Sequence, residues 1–291
     1  MYAVFVLMKV LAWTATIAVM FAGALRLGPA SLRQVRRRPM LFVRTLAAVW
    51  IAVPLLTVAV VLAFDVSGLK ATTLLLMSIC PGMPLLVAST RSVKGAKDTA
   101  FVALLLTATI EPLLIPHWTR FLSVVHPGDL TVERRDVVAV LVPTVFIPVA
   151  VGFVIRQLAP RVAAALARLS EMIAVVGIVM DVLVVLIQGA PLLLRVPVRT
   201  FAAAVVVTLG DTAIGYLAGW PKMEDQRAIA MSSALGNPAL ALAVMEASYP
   251  GLTAGALIAV YLLIRALTMA PLEWWLKRSG GRRQLRRTVT P

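Results

Sequence analysis

Residues 233–242 read SALGNPALAL, a Gly-Asn-Pro triplet set inside an apolar run. A turn between two elements accounts for such a triplet, and so does a membrane helix interrupted to free backbone groups for binding. Composition narrows the choice. Of the 291 residues, 60% are hydrophobic and 14% charged, and mean hydropathy is +0.93, whereas soluble domains are about 45–50% apolar. A bilayer core about 30 Å thick takes about 20 apolar residues per helix, and backbone groups in hydrocarbon must be satisfied internally. The apolar runs are continuous rather than alternating, which predicts an all-α polytopic membrane protein and not a β-barrel.

Apolar windows bounded by charge predict nine spans, at about 2–25, 41–64, 71–92, 98–124, 135–157, 165–189, 199–220, 224–248 and 252–276. An odd number puts the termini on opposite sides. The first run is N-terminal and ends in small residues, as a secretory signal does, but a signal carries positive charge before its apolar region. Here the basic block Arg36-Arg37-Arg38 follows it. Lys and Arg gather on one side, in the loops after the first, third, fifth and seventh spans and in the tail. Lys70, Arg120, Arg134, Arg135, Arg195 and Arg199 fall on the other. The imbalance predicts an inner or plasma membrane protein with its N-terminus outside and its C-terminus cytoplasmic. The tail motif RRQLRR at 282–287 either touches anionic lipid or simply anchors topology. Because the net charge of +15 sits at span ends, no nucleic-acid partner is expected, although a basic balance is the usual footprint of one. One cysteine, Cys80, forms no internal disulfide framework. His117 and His126 lack metal-ligand spacing, and neither metal nor cofactor is expected.

A second interruption lies in the third span, where LLLMSICPGMPLLVAST at 74–90 carries Pro81, Gly82 and Pro84. An interior proline removes a helical hydrogen bond and costs about 3 kcal/mol or more. One break is readily explained by packing, since Pro and Gly are common in membrane helices. Two breaks in the third and eighth spans, five helices apart, cross the membrane in opposite senses, which is the pointer to an inverted-repeat transporter with a midplane site. There, half-helix N-termini offer positive dipole ends to anions, and unwound carbonyls can coordinate cations.

These residues resemble the bile acid:sodium symporter family, whose wider superfamily includes arsenite and auxin-type carriers. Cys80-Pro81-Gly82 matches the start of the family's first broken helix, and KGAKDTAFVALLLTATIEPLLIP at 94–116 resembles the helix after it, with Gly95 in register. DTAIGYLAGW at 211–220 and LGNPALALAV at 235–244 resemble the corresponding parts of the second half. The resemblance covers nearly the whole chain and implies a nine-helix form lacking the first helix of repeat one. Repeat one is then about 1–127, repeat two 135–277, and 278–291 a basic cytoplasmic tail.

The departures from the family are informative. By register, the family's Ser-Asn sodium ligands fall on Leu86 and Val87, its two hydroxyl ligands on Ala100 and Leu104, and its glutamate on Ser232. Its two glutamines fall on Gly236 and Val49. Only Ser232 keeps an oxygen, so the resemblance implies the fold without the usual sodium sites. Intramembrane acids are costly and functional candidates by default. Glu111, Asp211 and Asp181 are therefore proton-coupling candidates, since burial disfavours the charged form of a carboxyl. Pairing with Arg265 or Lys9 and capping of freed backbone are their structural alternatives. Asn237, Ser232, Ser233, Pro81, Gly82, Ser78 and Thr107 are substrate-site candidates, with Thr109 weaker. Asn237 can equally satisfy backbone freed by Pro238, and Ser and Thr are ordinary helix-packing residues. A thiol ligand for arsenite at Cys80 fits the motif less well than a bile-acid-type role. Glu246 and Glu273 lie near span ends, at the interface.

The leading expectation is a secondary transporter of a small organic anion, proton-coupled or uniport. Its alternatives are sodium symport through backbone carbonyls, and a degenerate carrier serving as a membrane sensor or scaffold. No nucleophile with a base and no phosphate loop supports an enzyme.

Overall fold

The computed structural model describes residues 2–27, 32–81, 90, 94–125, 134–234, 236–237, 240–241, 244–245 and 253–288. In chain order these form α1 (Tyr2–Leu27), α2 (Arg33–Arg37), α3 (Pro39–Ala63), α4 (Gly68–Ile79) and α5 (Lys97–Val125). They continue through α6 (134–158), α7 (Pro160–Leu193), α8 (Val198–Ala218), α9 (Met223–Ala234) and α10 (Thr253–Thr288). Among the described residues four helices, Pro39–Ala63, Lys97–Val124, Val137–Leu158 and Val198–Ala218, are long and apolar enough to cross a membrane. Trp13–Arg26, Gly68–Ile79 and Ala256–Leu272 are shorter apolar helices. Helix α4 stops at Ile79 and α9 at Ala234, each inside an expected span and each at the break read from the sequence.

Prolines shape the longer helices through the hydrogen bonds they cannot make. Helix α3 widens into a π turn at Ala48–Ala52, where the Val53 N–H bonds the Ala48 carbonyl, and α6 does so at Val142–Phe146. In both the next α-helical segment carries a proline at its second residue, Pro54 and Pro148. Pro54 has no N–H to offer the Trp50 carbonyl four residues back. Trp118 Nε1 donates to that carbonyl instead, at 3.0 Å, and so ties α5 to α3. These π turns went unread in the sequence.

Helix α1 packs against α6 and α7, while α8 packs against α3, α9 and α10. Helix α4 lies on α3 and α10, and α5 on α9. The largest fully buried side chains include Phe101, Leu104 and Ile115 of α5 and Met77 and Ile79 at the end of α4. The outer face of α7 exposes Met172, Ile173, Val175, Val176 and Val179. Such a surface belongs against lipid, where it costs nothing to leave uncovered.

One end of the bundle is fastened by a buried carboxylate. Asp225, in the first turn of α9, forms an ion pair with Arg38 and accepts from Thr99 Oγ1 at 2.8 Å. The Ala96 N–H donates to the Glu224 carbonyl at 3.0 Å. The start of α3, the start of α5 and the start of α9 are thereby held together, and an acid at a helix N-terminus also meets the positive end of its dipole.

Candidate site at the meeting of two interrupted helices

The two breaks touch. Pro81 and Gly236 form an isolated antiparallel β-bridge, and the Asn237 N–H donates to the Cys80 carbonyl at 2.6 Å. The local chemistry explains the closeness. Pro81 supplies no N–H to the Met77 carbonyl, and that oxygen faces Gly236, where an added Cβ would stand 2.6 Å from it. Only glycine lets the two backbones approach this far. Cys80, Met77, Ile79 and Met231 around the contact are buried.

Beyond the contact the chain resumes helical structure at 240–241 and 244–245. Asn237 is its cap: the Asn237 carbonyl accepts the Ala241 N–H at 3.0 Å, and Asn237 Oδ1 accepts the Leu240 N–H at 3.2 Å. The side-chain oxygen thus serves backbone freed by the break, the second of the two roles open to it from sequence. Removing such a cap costs about 1 kcal/mol. Asn237→Ala is expected to lower stability by that amount and Asn237→Ser, which keeps a cap oxygen, by less, as read from thermal unfolding of the purified protein. Equal losses in the two variants would place the asparagine's importance elsewhere.

On the other side of α9 lies a buried ion pair. Arg265 of α10 is 3% exposed and Asp211 of α8 is 1% exposed; Arg265 Nη2 lies 3.4 Å from Asp211 Oδ2 and 3.4 Å from the Ser233 carbonyl. The guanidinium also stands over the Tyr261 ring, 5.5 Å from its centroid, a cation–π arrangement. Gly215 lets α8 close on α9 here, since a Cβ would meet the Ile229 carbonyl and Ser233 Oγ at 2.5 Å. A cavity of about 210 Å³ opens between α4, α8 and α10, with Lys70 and Arg195 at its exposed end and Tyr261 in its wall.

Glu111 differs from Asp211. It is 1% exposed, and among the described residues neither of its carboxylate oxygens has a hydrogen-bond partner. An orphaned buried carboxylate is expensive as an anion.

The other candidates divide. Ser232 and Ser233 are buried beside the break with hydroxyls that have no partner among the described residues. Ser78 Oγ donates to the Leu75 carbonyl at 2.6 Å and Thr107 Oγ1 to the Leu104 carbonyl at 2.9 Å, so both hydroxyl protons are used within their own helices. Pro81 sits in the bridge itself. Gly82, Glu246 and His126, together with the side chains of Asp181, Lys9 and Glu273, lie outside the described residues. No group of three or more His, Cys, Asp or Glu suited to a metal occurs among the described residues. What sequence reasoning missed is the Ser233 carbonyl, since a backbone atom leaves no residue-type signal.

Interrupted helices that meet backbone to backbone in the buried centre of so apolar a chain define an integral membrane protein whose polar site lies among its helices. The model of the Sodium Bile acid symporter family matches residues 14–196. The chain therefore belongs to that family, whose members are secondary membrane transporters. None of the curated proteins matches the chain. The matched stretch takes in the first break and Glu111; the second break, Asp211 and Arg265 lie beyond it.

Proposed function

We propose that this chain transports a small organic anion across the contact of its two interrupted helices, coupled to protons or as a uniporter, without the family's side-chain sodium ligands. The observation that carries the reading is the backbone contact of the breaks, Pro81 with Gly236 and Asn237 with Cys80. It supports an inverted arrangement of two halves, 1–127 and 135–277, around a shared site. Ser232 and Ser233 lie buried beside the break, with hydroxyls that have no partner among the described residues and could serve an anion there. Glu111 is the proton carrier in this reading: it is buried, and neither of its carboxylate oxygens has a hydrogen-bond partner among the described residues. The N-terminus lies outside and the C-terminus in the cytoplasm, as the distribution of basic residues favours.

Reconstituted protein tests this directly. Organic anion uptake into proteoliposomes is measured under an imposed proton gradient, an imposed sodium gradient, and neither. Accumulation that follows protons, or equilibration without a gradient, is the expected result. Accumulation driven by sodium overturns the coupling assignment, and no uptake of any anion tested returns the chain to the sensor or scaffold reading.

A further inference from the structure

A buried cation stands where a broken helix has left a carbonyl without its donor. In a continuous helix the Ser233 carbonyl accepts from the N–H four residues on, which is that of Asn237. Here the Asn237 N–H is turned to the Cys80 carbonyl. Arg265 takes its place from a different helix, with Nη2 3.4 Å from the Ser233 carbonyl and 3.4 Å from Asp211 Oδ2.

The surroundings select for positive charge. The last turn of α9 directs the negative end of its dipole at this point, the Asp211 carboxylate adds a full charge, and the Tyr261 ring presents its face. Arg265 Nε and Nη1 have no partner among the described residues. The guanidinium is therefore held more by the negative field of the pocket than by a complete set of hydrogen bonds. A carbonyl and a carboxylate converging at the end of an unwound helix are the oxygens with which a transporter binds a mobile cation.

We propose that Arg265 is a resident cation: its tethered guanidinium permanently fills the cation position at the end of α9, so that neither the stability of the second interrupted helix nor the transport cycle needs a metal ion there. The transport half of this inference rests on the reading above; the structural half does not.

The full-length protein, purified in detergent, is followed by thermal unfolding. The wild-type midpoint is expected to be the same in sodium and potassium and unmoved by millimolar guanidinium. Arg265→Ala is expected to unfold earlier and to regain about 3 °C with guanidinium, but not with urea, which has a similar shape and no charge. Arg265→Gln, which can still donate to the Ser233 carbonyl, is read in the same way and serves if the alanine variant is not recovered. Adding Asp211→Asn to either should erase the response, since it removes the negative partner. Variants that ignore guanidinium, or respond equally to urea, overturn the proposal. Stabilisation of the wild type by sodium, retained when Arg265 is replaced, overturns it as well. Because this readout needs no substrate, a guanidinium response in a protein without uptake leaves the resident cation standing and removes only the transport reading. Uptake by a protein without the response does the reverse.

Discussion

Gly236→Val is expected to separate the two interrupted helices, abolish uptake and lower stability by more than the typical cost of overpacking, about 1–3 kcal/mol. The first atom of any side chain at 236 would stand 2.6 Å from the Met77 carbonyl oxygen and 3.3 Å from the Cys80 carbonyl oxygen. Both are backbone atoms, so no rotamer change relieves the clash. Helix α4 ends beside them, and its last residues are fully buried, leaving little room to retreat. Displacing the backbone at 236–237 by the width of a methyl group also breaks the Asn237 to Cys80 hydrogen bond, which returns an unpaired N–H and carbonyl to an apolar interior. Even Gly236→Ala incurs the first of these costs. Gly68 provides the contrast: its φ of +61° demands a left-handed backbone, but no atom lies within 4 Å of an added Cβ. Gly68→Asn, in a residue type that tolerates that conformation, is expected to be nearly silent. Thermal unfolding and uptake of the three variants, measured side by side, check the argument, and a Gly236→Val protein that unfolds with the wild type would show that the breaks do not touch.

The sequence carried the breaks because proline and glycine are conspicuous in hydrocarbon, and it carried the charged residues because each one there is costly. Much of what is built from residue type was therefore legible: the all-helical membrane class, the ends of α4 and α9, and the alternative partner of Asp211; for Asn237 the sequence left substrate binding and backbone capping equally open. The matching places of the two breaks in the sequence suggested a shared site but could not show that they touch, because the contact is made by backbone atoms of Cys80, Pro81, Gly236 and Asn237. The same limit hid the Ser233 carbonyl, and with it the second role of Arg265 beyond pairing with Asp211. The π turn in α3 was hidden for a related reason. Pro54 announces a missing donor, but the indole that answers it comes from Trp118, far along the chain.

These missed features share one physical origin. Each is a main-chain carbonyl deprived of its helical donor, by Pro54 at Trp50, by Pro81 at Met77, and by the diverted Asn237 N–H at Ser233. In water such a carbonyl finds solvent, and in the interior of this chain it must find a protein group or accept close packing. Trp118, the close approach of Gly236, and Arg265 are the three answers. A residue whose type is poorly suited to hydrocarbon is thus retained where it satisfies a backbone group that no apolar side chain can.

Glu111→Gln is expected to remain folded and to lose proton-driven accumulation altogether. With one proton carried per substrate, each pH unit of gradient supplies about 1.4 kcal/mol, which is about a tenfold accumulation; the glutamine variant should bring the ratio of inside to outside substrate back to one. It should still equilibrate substrate, because the contact of the breaks does not involve the carboxylate. Stability should be unchanged or slightly raised, since neither Glu111 oxygen has a hydrogen-bond partner to lose among the described residues and a neutral isostere avoids burying a charge. Asp211→Asn separates this behaviour from that of an ordinary buried acid. Neutralising Asp211 strips Arg265 of its counter-ion, and breaking a buried pair from one side costs about 3–5 kcal/mol, so that variant should lose stability whatever it does to coupling. Accumulation ratios with and without a pH gradient, set beside thermal midpoints, distinguish the two carboxylates. A Glu111→Gln protein that still concentrates substrate tenfold per pH unit removes Glu111 from the proton path and moves the search to Asp211 and Asp181.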